Sequence, residues 1–395
     1  MEAVILAGGL GTRLRDAVPQ LPKCMAPVGG RPFLWHLLDS LSQYDISKVV
    51  LSLGYMHESV LGWLESDEAS FPFAIDCSVE DSPLGTGGAI ALALGHTSGG
   101  NVLILNGDTL FNADLDAFFS SVTAPVGMAL REVSETSRYG RVELSGSAVT
   151  VFGEKRSSGA GLINAGIYVL DPEASSFAVF ASGRGAFSFE RDFLETVAVE
   201  RGILSGTVCN GYFIDIGVPE DYARASRELP YLSRVRLLKK QVAEACGGRE
   251  GMSLFLDRDG VVNVLRPGDY VKTWQEFEFI PGIVEAIAGW SRMFRHIILV
   301  TNQRGVGRGL MTEESLADIH ARMKGAVEKA GGRIDAVYSC TSADLDDPMR
   351  KPRPGMFFKA MQDFPDIRPS ECIMAGDSES DREFASACGI RFIKF

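Results

Sequence analysis

The sequence predicts an α/β protein of two domains, each a mostly parallel sheet with covering helices. Three observations carry this. The chain has 395 residues, too many for one ordinary core at roughly 100 to 200 residues per domain. Short apolar runs alternate with helical patterns along its length, the grammar of parallel sheets. At residues 3–8 and 253–257 an apolar strand runs straight into a Gly- or Asp-rich turn, the strand-end position at which open α/β sheets bind ligands. With 46% hydrophobic and 23% charged residues, disorder, collagen-like repeats and a coiled coil are excluded.

The elements follow in order. A strand over 3–7 opens the first domain, and apolar runs at 48–53, 101–105 and 163–170 continue it. Residues 227–251 form a basic segment whose pattern predicts a helix over 231–246, stopped by Gly247-Gly248. That helix reads equally as the last helix of the first domain or as a linker. The second domain opens with a strand over 253–256 and continues through runs at 296–300, 336–339 and 372–375. The expected boundaries are 1–228, a basic helix and linker over 229–251, and 252–395.

Charge and cysteines restrict the function class. Against a net charge of −12 for the whole chain, residues 1–228 alone carry −13, with 15 Lys and Arg against 28 Asp and Glu. So acidic a surface repels phosphate backbones, which argues against nucleic acid as partner and leaves room for a small anion held by a few convergent cations. No apolar run reaches the roughly 18 residues a membrane span needs, and the acidic N-terminus does not fit a signal peptide, so a cytoplasmic protein without membrane association is expected. The seven cysteines are scattered with no C-x-x-C pair, which predicts neither a disulfide framework nor an obvious zinc site. A homo-oligomer is compatible with the sequence.

The first strand leads into Gly8-Gly9-Leu10-Gly11-Thr12-Arg13-Leu14, trailed by Pro22-Lys23. Three glycines in four positions let backbone N–H groups approach phosphate oxygens, and Arg13 and Lys23 add full charges. The pattern is neither the Walker loop nor the dinucleotide fingerprint, and the glycines alone would equally suit a structural turn. Pro83-Leu84-Gly85-Thr86-Gly87-Gly88 is a second flexible loop, suited to closing over a flat base. Asp108 ends an apolar strand, and Asp215 lies inside one, where an ionised carboxylate is costly unless paired or bound to a cation. Together they can supply hard oxygen ligands to Mg²⁺.

In the order and spacing of these motifs, with Phe152-Gly153-Glu154-Lys155, Asn164-Ala165-Gly166 and Ile214-Asp215-Ile216-Gly217, residues 1–228 resemble the sugar-1-phosphate nucleotidyltransferases. The resemblance implies a Rossmann-like mixed-sheet domain that transfers a nucleoside monophosphate from a triphosphate to a sugar 1-phosphate. Ala7, Gly8, Gly9, Gly11, Thr12, Arg13, Lys23, Gly85 and Thr86 would hold the nucleotide, with Arg13 and Lys23 catalytic. Gly140, Glu154, Lys155, Asn164 and Gly166 would hold the sugar phosphate, and Asp108 and Asp215 the Mg²⁺. Cys24, where many members carry proline, is expected to be an inert thiol.

In the second domain Asp257-Arg258-Asp259-Gly260 follows a strand directly, and carboxylates two apart on an extended segment point to one side. One can attack phosphorus to give an acyl phosphate if a cation offsets the repulsion. Thr301, Arg350-Lys351 and Asp377 come from three further strand ends. This four-part pattern resembles the haloacid dehalogenase phosphatases, which implies a Rossmann-like domain in which Asp257 accepts the phosphoryl group and Asp259 is the general acid and base. Thr301 and Lys351 would hold the phosphoryl group, and Asp257, the Asp259 carbonyl and Asp377 would bind Mg²⁺. About 144 residues leave no room for a large cap, so the loop 263–279 is expected to govern access. The FLDRDGVVN, TNQRGVGRG and RKPRPGM segments resemble the heptose bisphosphate and histidinol phosphate phosphatase branch, which adds Asn302, Gln303, Arg308 and Arg350 as substrate contacts. The branch's zinc loop keeps only Cys340 here, so no zinc is expected.

Together the resemblances imply removal of the 7-phosphate from heptose 1,7-bisphosphate and transfer of GMP from GTP to heptose 1-phosphate. Two alternatives stand beside this. The same chemistry could act on mannose, N-acetylated sugar or histidinol phosphates with GTP or UTP, or one domain could be a non-catalytic sugar-nucleotide sensor.

Overall fold

The computed structural model describes residues 1–9, 14, 18, 20–138, 140–153 and 159–395. It divides into two compact units, Met1–Leu229 and Pro230–Phe395.

In the first unit the parallel strands Ala74–Val79, Lys48–Leu53, Glu2–Leu6 and Val102–Asn106 lie side by side. The sheet then turns mixed, because Gly161–Leu170 runs antiparallel to both Val102–Asn106 and Val126–Val133. A register shift between Asn164 and Tyr168 bends that long strand, and Gly166 takes φ +73° there, with Asn106 Nδ2 only 2.8 Å from where a Cβ would stand. The bulge therefore needs glycine. A separate ribbon pairs Thr109–Asn112 with Tyr212–Asp215, setting Asp215 opposite Thr109.

The second unit holds a five-stranded parallel sheet in the order Ala336–Cys340, His296–Asn302, Ser253–Leu256, Cys372–Gly376, Arg391–Lys394. Its strands are apolar on both faces, as a sheet covered on two sides requires. Leu254, Leu256, Ile297 and Leu299 pack with helices Ile283–Trp290 and Glu313–Lys329. The alternate residues Phe255, Ile298 and Val300 pack with Gly355–Asp363 and Glu379–Cys388. The loop expected to govern access is closed at its base by a bridge between Asn263 and Phe279.

The basic segment differs from a linker. One helix runs over Pro219–Cys246, and its Val235, Leu238, Val242 and Ala245 join the core of the second unit. Their spacing puts one apolar stripe on a polar helix, which has to be buried against something. Among the described residues no helix is long and apolar enough to cross a membrane.

Candidate active sites

In the first unit, parallel pairing of Glu2–Leu6 with Val102–Asn106 ends with Leu6 beside Asn106. This brings the Gly8 turn and the Asn106-Gly107-Asp108 turn to one sheet edge, and the Gly107 N–H donates to the Leu6 carbonyl at 3.0 Å. The ribbon delivers Asp215 to the same place, since the Ile216 N–H donates to the Asp108 carbonyl at 3.0 Å. Lys23 joins the two acids, with Nζ 2.6 Å from Asp108 Oδ2 and 3.5 Å from Asp215 Oδ1. A cavity of about 630 Å³ opens at this edge, with Gly8, Gly9, Gly85, Thr86 and Asp108 in its wall.

Other expected residues sit differently. Ala7 is buried and outside the cavity wall, because its N–H bonds the Ser52 carbonyl and its own carbonyl accepts from Cys24 Sγ. Burial pushes the Cys24 thiol up to about 12, so it is inert. Asn164 uses its amide within its own bulge, donating to the Tyr168 hydroxyl at 2.7 Å and accepting from the Gly166 N–H at 3.0 Å. Gly140 lies against the Gly153 carbonyl. Gly11, Thr12, Arg13, Glu154 and Lys155 lie outside the described residues.

Three acids of the cavity wall, Glu80, Asp81 and Glu190, are not among the expected site residues. Glu190 accepts from the Thr86 hydroxyl at 2.6 Å and from Ser188 Oγ at 3.1 Å, and this ties the helix Phe189–Ala198 to the start of the helix Gly85–Leu94, which stands where a flexible loop over 83–88 was expected. Glu80 Oε2 accepts from the Leu84 N–H at 2.8 Å. Its Oε1 has no hydrogen-bond partner among the described residues and lies 3.1 Å from where a Cβ on Gly8 would stand. Burial raises the Glu80 carboxyl above its ordinary value. Glu80 sits five residues before Gly85 among ordinary acids, and no sequence signal marks it.

In the second unit three strand ends and one loop deliver the expected groups. Asp257 follows Ser253–Leu256, Thr301 lies in His296–Asn302, Lys351 is on the loop after Ala336–Cys340, and Asp377 follows Cys372–Gly376. Lys351 Nζ is 2.7 Å from Asp257 Oδ1 and 2.6 Å from Asp381 Oδ1. Asp381 is fixed by the start of its helix, where it and Ser378 form a capping box. Burial pushes the Asp257 carboxyl up to about 7 against the pull of Lys351. Burial works against the Lys351 ammonium too, yet the facing carboxylates prevail and raise it. Asp257, Asp377 and Asp381 each offer an oxygen within 4.8 Å of the others, an all-carboxylate set of the kind hard cations take. Gly260, at φ +88°, leaves Asp377 its room, since a Cβ there would stand 2.1 Å from Asp377 Oδ2.

The Asp259 side chain lies outside that cluster, and the metal contact that the resemblance implies for this residue is through its backbone carbonyl. Its carboxylate is turned to Arg258, Asn263 and Gln303. Burial works to raise it, but these partners, Arg258 foremost, hold it below the ordinary range. Gln303, expected as a substrate contact, is turned inward. It is fully buried, and its Nε2 bridges Asp259 Oδ2 at 2.6 Å and Thr301 Oγ1 at 2.9 Å. Asn302 clasps the Lys351 backbone from both sides, accepting from its N–H and donating to its carbonyl. Arg308 is exposed, and Arg350 has a buried Nη1 with no hydrogen-bond partner among the described residues.

Comparison with known proteins assigns each unit to a family. The nucleotidyl transferase family matches residues 2–230, and the haloacid dehalogenase-like hydrolase family residues 205–389. The chain is 42% identical over 236 residues to D-glycero-alpha-D-manno-heptose 1-phosphate guanylyltransferase of Aneurinibacillus thermoaerophilus, covering 58% of this chain and 99% of that one. It is 39% identical over 145 residues to D-glycero-alpha-D-manno-heptose-1,7-bisphosphate 7-phosphatase of Mycobacterium bovis, covering 36% of this chain and 75% of that one. The crystal structure of HddC from Yersinia pseudotuberculosis complexed with GMP-PN aligns with a TM-score of 0.51 at 34% identity, over 57% of this chain and 98% of that one.

Proposed function

The chain belongs to the nucleotidyl transferase family through its first unit and to the haloacid dehalogenase-like hydrolases through its second, and from that premise we propose that one protein makes and then activates a sugar 1-phosphate. The second unit removes the 7-phosphate of heptose 1,7-bisphosphate, and the first joins the resulting heptose 1-phosphate to GMP from GTP. One observation carries the choice of sugar: the bisphosphate named by one relative, without its 7-phosphate, is the 1-phosphate named by the other.

In the second unit an Asp257 oxygen attacks phosphorus while the bond from phosphorus to the sugar oxygen breaks, and Asp259, which first takes up a proton from water, supplies that oxygen's proton. Asp259 then takes a proton from the water that cleaves the acyl phosphate. Lys351 offsets the charge of Asp257, and Thr301, already accepting from Gln303, has its hydroxyl hydrogen left for a phosphoryl oxygen. The Asp257, Asp377 and Asp381 carboxylates fit Mg²⁺, which when bound would neutralise phosphoryl charge.

In the first unit an oxygen of the sugar phosphate attacks the α-phosphorus in line and pyrophosphate leaves, so holding two anions together is the main task. Lys23 and the Gly8 turn serve the triphosphate. Asp108 and Asp215 fit a second Mg²⁺ that takes its other ligands from phosphate and water. Glu80, in the cavity wall with Oε2 taken by the Leu84 N–H, offers Oε1 as an acceptor for the N1–H and N2–H₂ of guanine.

The test supplies heptose 1,7-bisphosphate and GTP to the full-length protein and follows phosphate and pyrophosphate. Both are expected. Asp257→Asn should stop both, and added heptose 1-phosphate should restore pyrophosphate alone. Pyrophosphate from UTP and none from GTP would end this reading.

A further inference from the structure

Asp259 has unusually many partners for a group that must exchange a proton. Arg258 Nη2 lies 2.9 Å from Oδ1 and 3.0 Å from Oδ2. Asn263 Nδ2 reaches Oδ1 at 2.9 Å and Gln303 Nε2 reaches Oδ2 at 2.6 Å. An ionised carboxylate has about four acceptor sites, so two bonds on each oxygen leave none for a sugar oxygen. One partner must release before a proton can move.

The partners are not equivalent. Gln303 is shared with Thr301 Oγ1, and Asn263 Nδ2 also bonds the Val264 carbonyl, so each has somewhere else to go. Arg258 does not. Its side chain is 0% exposed, it forks across both carboxylate oxygens, and its Nη1 stands 3.2 Å from Nε2 of His320 on the helix Glu313–Lys329. A buried guanidinium is strongly destabilising without its counter-ion, and in this place that counter-ion is Asp259.

We propose that Arg258, braced by His320, is a positioning residue of the phosphatase site: it fixes the Asp259 carboxylate for proton transfer to the sugar oxygen, while Gln303 or Asn263 releases to admit that oxygen. Once Gln303 or Asn263 has released, the freed Asp259 oxygen takes up a proton from water; as the bond from phosphorus to the sugar oxygen breaks and the bond from phosphorus to Asp257 forms, the electron pair goes to the sugar oxygen, which takes that proton and leaves Asp259 ionised again. The proposal rests on Asp259 being that proton donor.

The test uses two phosphate esters and the full-length protein. Heptose 1,7-bisphosphate leaves an alkoxide that needs a proton, whereas p-nitrophenyl phosphate leaves a phenolate that needs none. Rapid mixing reads the rate at which Asp257 is phosphorylated by each. Asp259→Asn is the reference and should lose the alkyl ester while keeping the aryl burst. Arg258→Lys and Arg258→Gln should slow the alkyl ester roughly 10- to 100-fold, part of what a general acid contributes, and leave the aryl burst within about threefold. His320→Leu should act in the same direction, more weakly. Equal losses on both esters in the Arg258 variants, or no loss on either, would overturn the proposal. Should those variants not fold, His320→Leu decides, and an unchanged ratio of alkyl to aryl rates would sink it. If Asp259→Asn keeps its alkyl rate, the assignment of Asp259 is what has failed, and that arm reports it separately.

Discussion

Guanine offers two donors side by side, N1–H and N2–H₂, and a carboxylate can accept both. At Glu80 the Leu84 N–H already occupies Oε2, so in Glu80→Gln the amide oxygen would stay on Leu84 and the NH₂ would face the base, donor against donor. With charged hydrogen bonds contributing about 1.5–3 kcal/mol, kcat/KM for GTP should fall on the order of 100-fold, and UTP, whose uracil carbonyls accept, should gain relative to it. An unchanged ratio of GTP to UTP turnover would show that Glu80 does not read the base. At Asp257 the relevant quantity is pH. Its carboxyl is pushed up to about 7 by burial, so below that value it holds a proton that a bound cation must displace. Mg²⁺ affinity at this site should therefore fall as pH drops from 7 toward 6, approaching tenfold per unit, and level off above about 8. Titration calorimetry at pH 6, 7 and 8 in two buffers of different ionisation enthalpy reads both the affinity and the released proton. Affinity independent of pH with no proton release would contradict the raised value.

At the scale of the element, what was legible in the sequence is what strands deliver. Asp257, Thr301 and Asp377 come from the ends of neighbouring strands, which a parallel sheet brings to one edge, while Lys351 reaches that edge on the loop after Ala336–Cys340, where Asn302 holds its backbone. The same logic placed Gly8 and Asp108. Asp215 was noticed because a carboxylate in an apolar strand needs a reason, and the reason is the ribbon pairing that brings it to Asp108 and Lys23. What escaped notice is side-chain choice among partners. Gln303 read as a substrate contact from its motif, yet period-two alternation sends it inward with Thr301. Glu190 arrives from a helix 104 residues away from Thr86, and His320 from a helix 62 residues beyond Arg258. Such pairings depend on packing distances that no local pattern encodes.

For the whole molecule, the question left by a basic, Gly-terminated helix is to which fold its residues belong. Val235, Leu238, Val242, Ala245 and Cys246 are buried in the second core. Arg234 stacks 4.4 Å above the ring of Phe395, and Arg391 Nη1 donates to the Ala245 carbonyl at 3.4 Å. At about 1.5–3 kcal/mol for each large apolar side chain, deleting this stretch would remove on the order of 5 kcal/mol, an upper figure because unfolded chains already bury some surface. That is comparable with the roughly 5–15 kcal/mol by which a domain is stable. A fragment of residues 230–395 should therefore melt cooperatively and release phosphate from p-nitrophenyl phosphate, and a fragment of residues 252–395 should show lost near-ultraviolet dichroism and little turnover. Both fragments keep Asp257, Thr301, Lys351 and Asp377, so a difference between them reports the core alone. If the shorter fragment melts and turns over like the longer one, the helix is a linker that merely leans on the second unit, and the boundary belongs after Gly251.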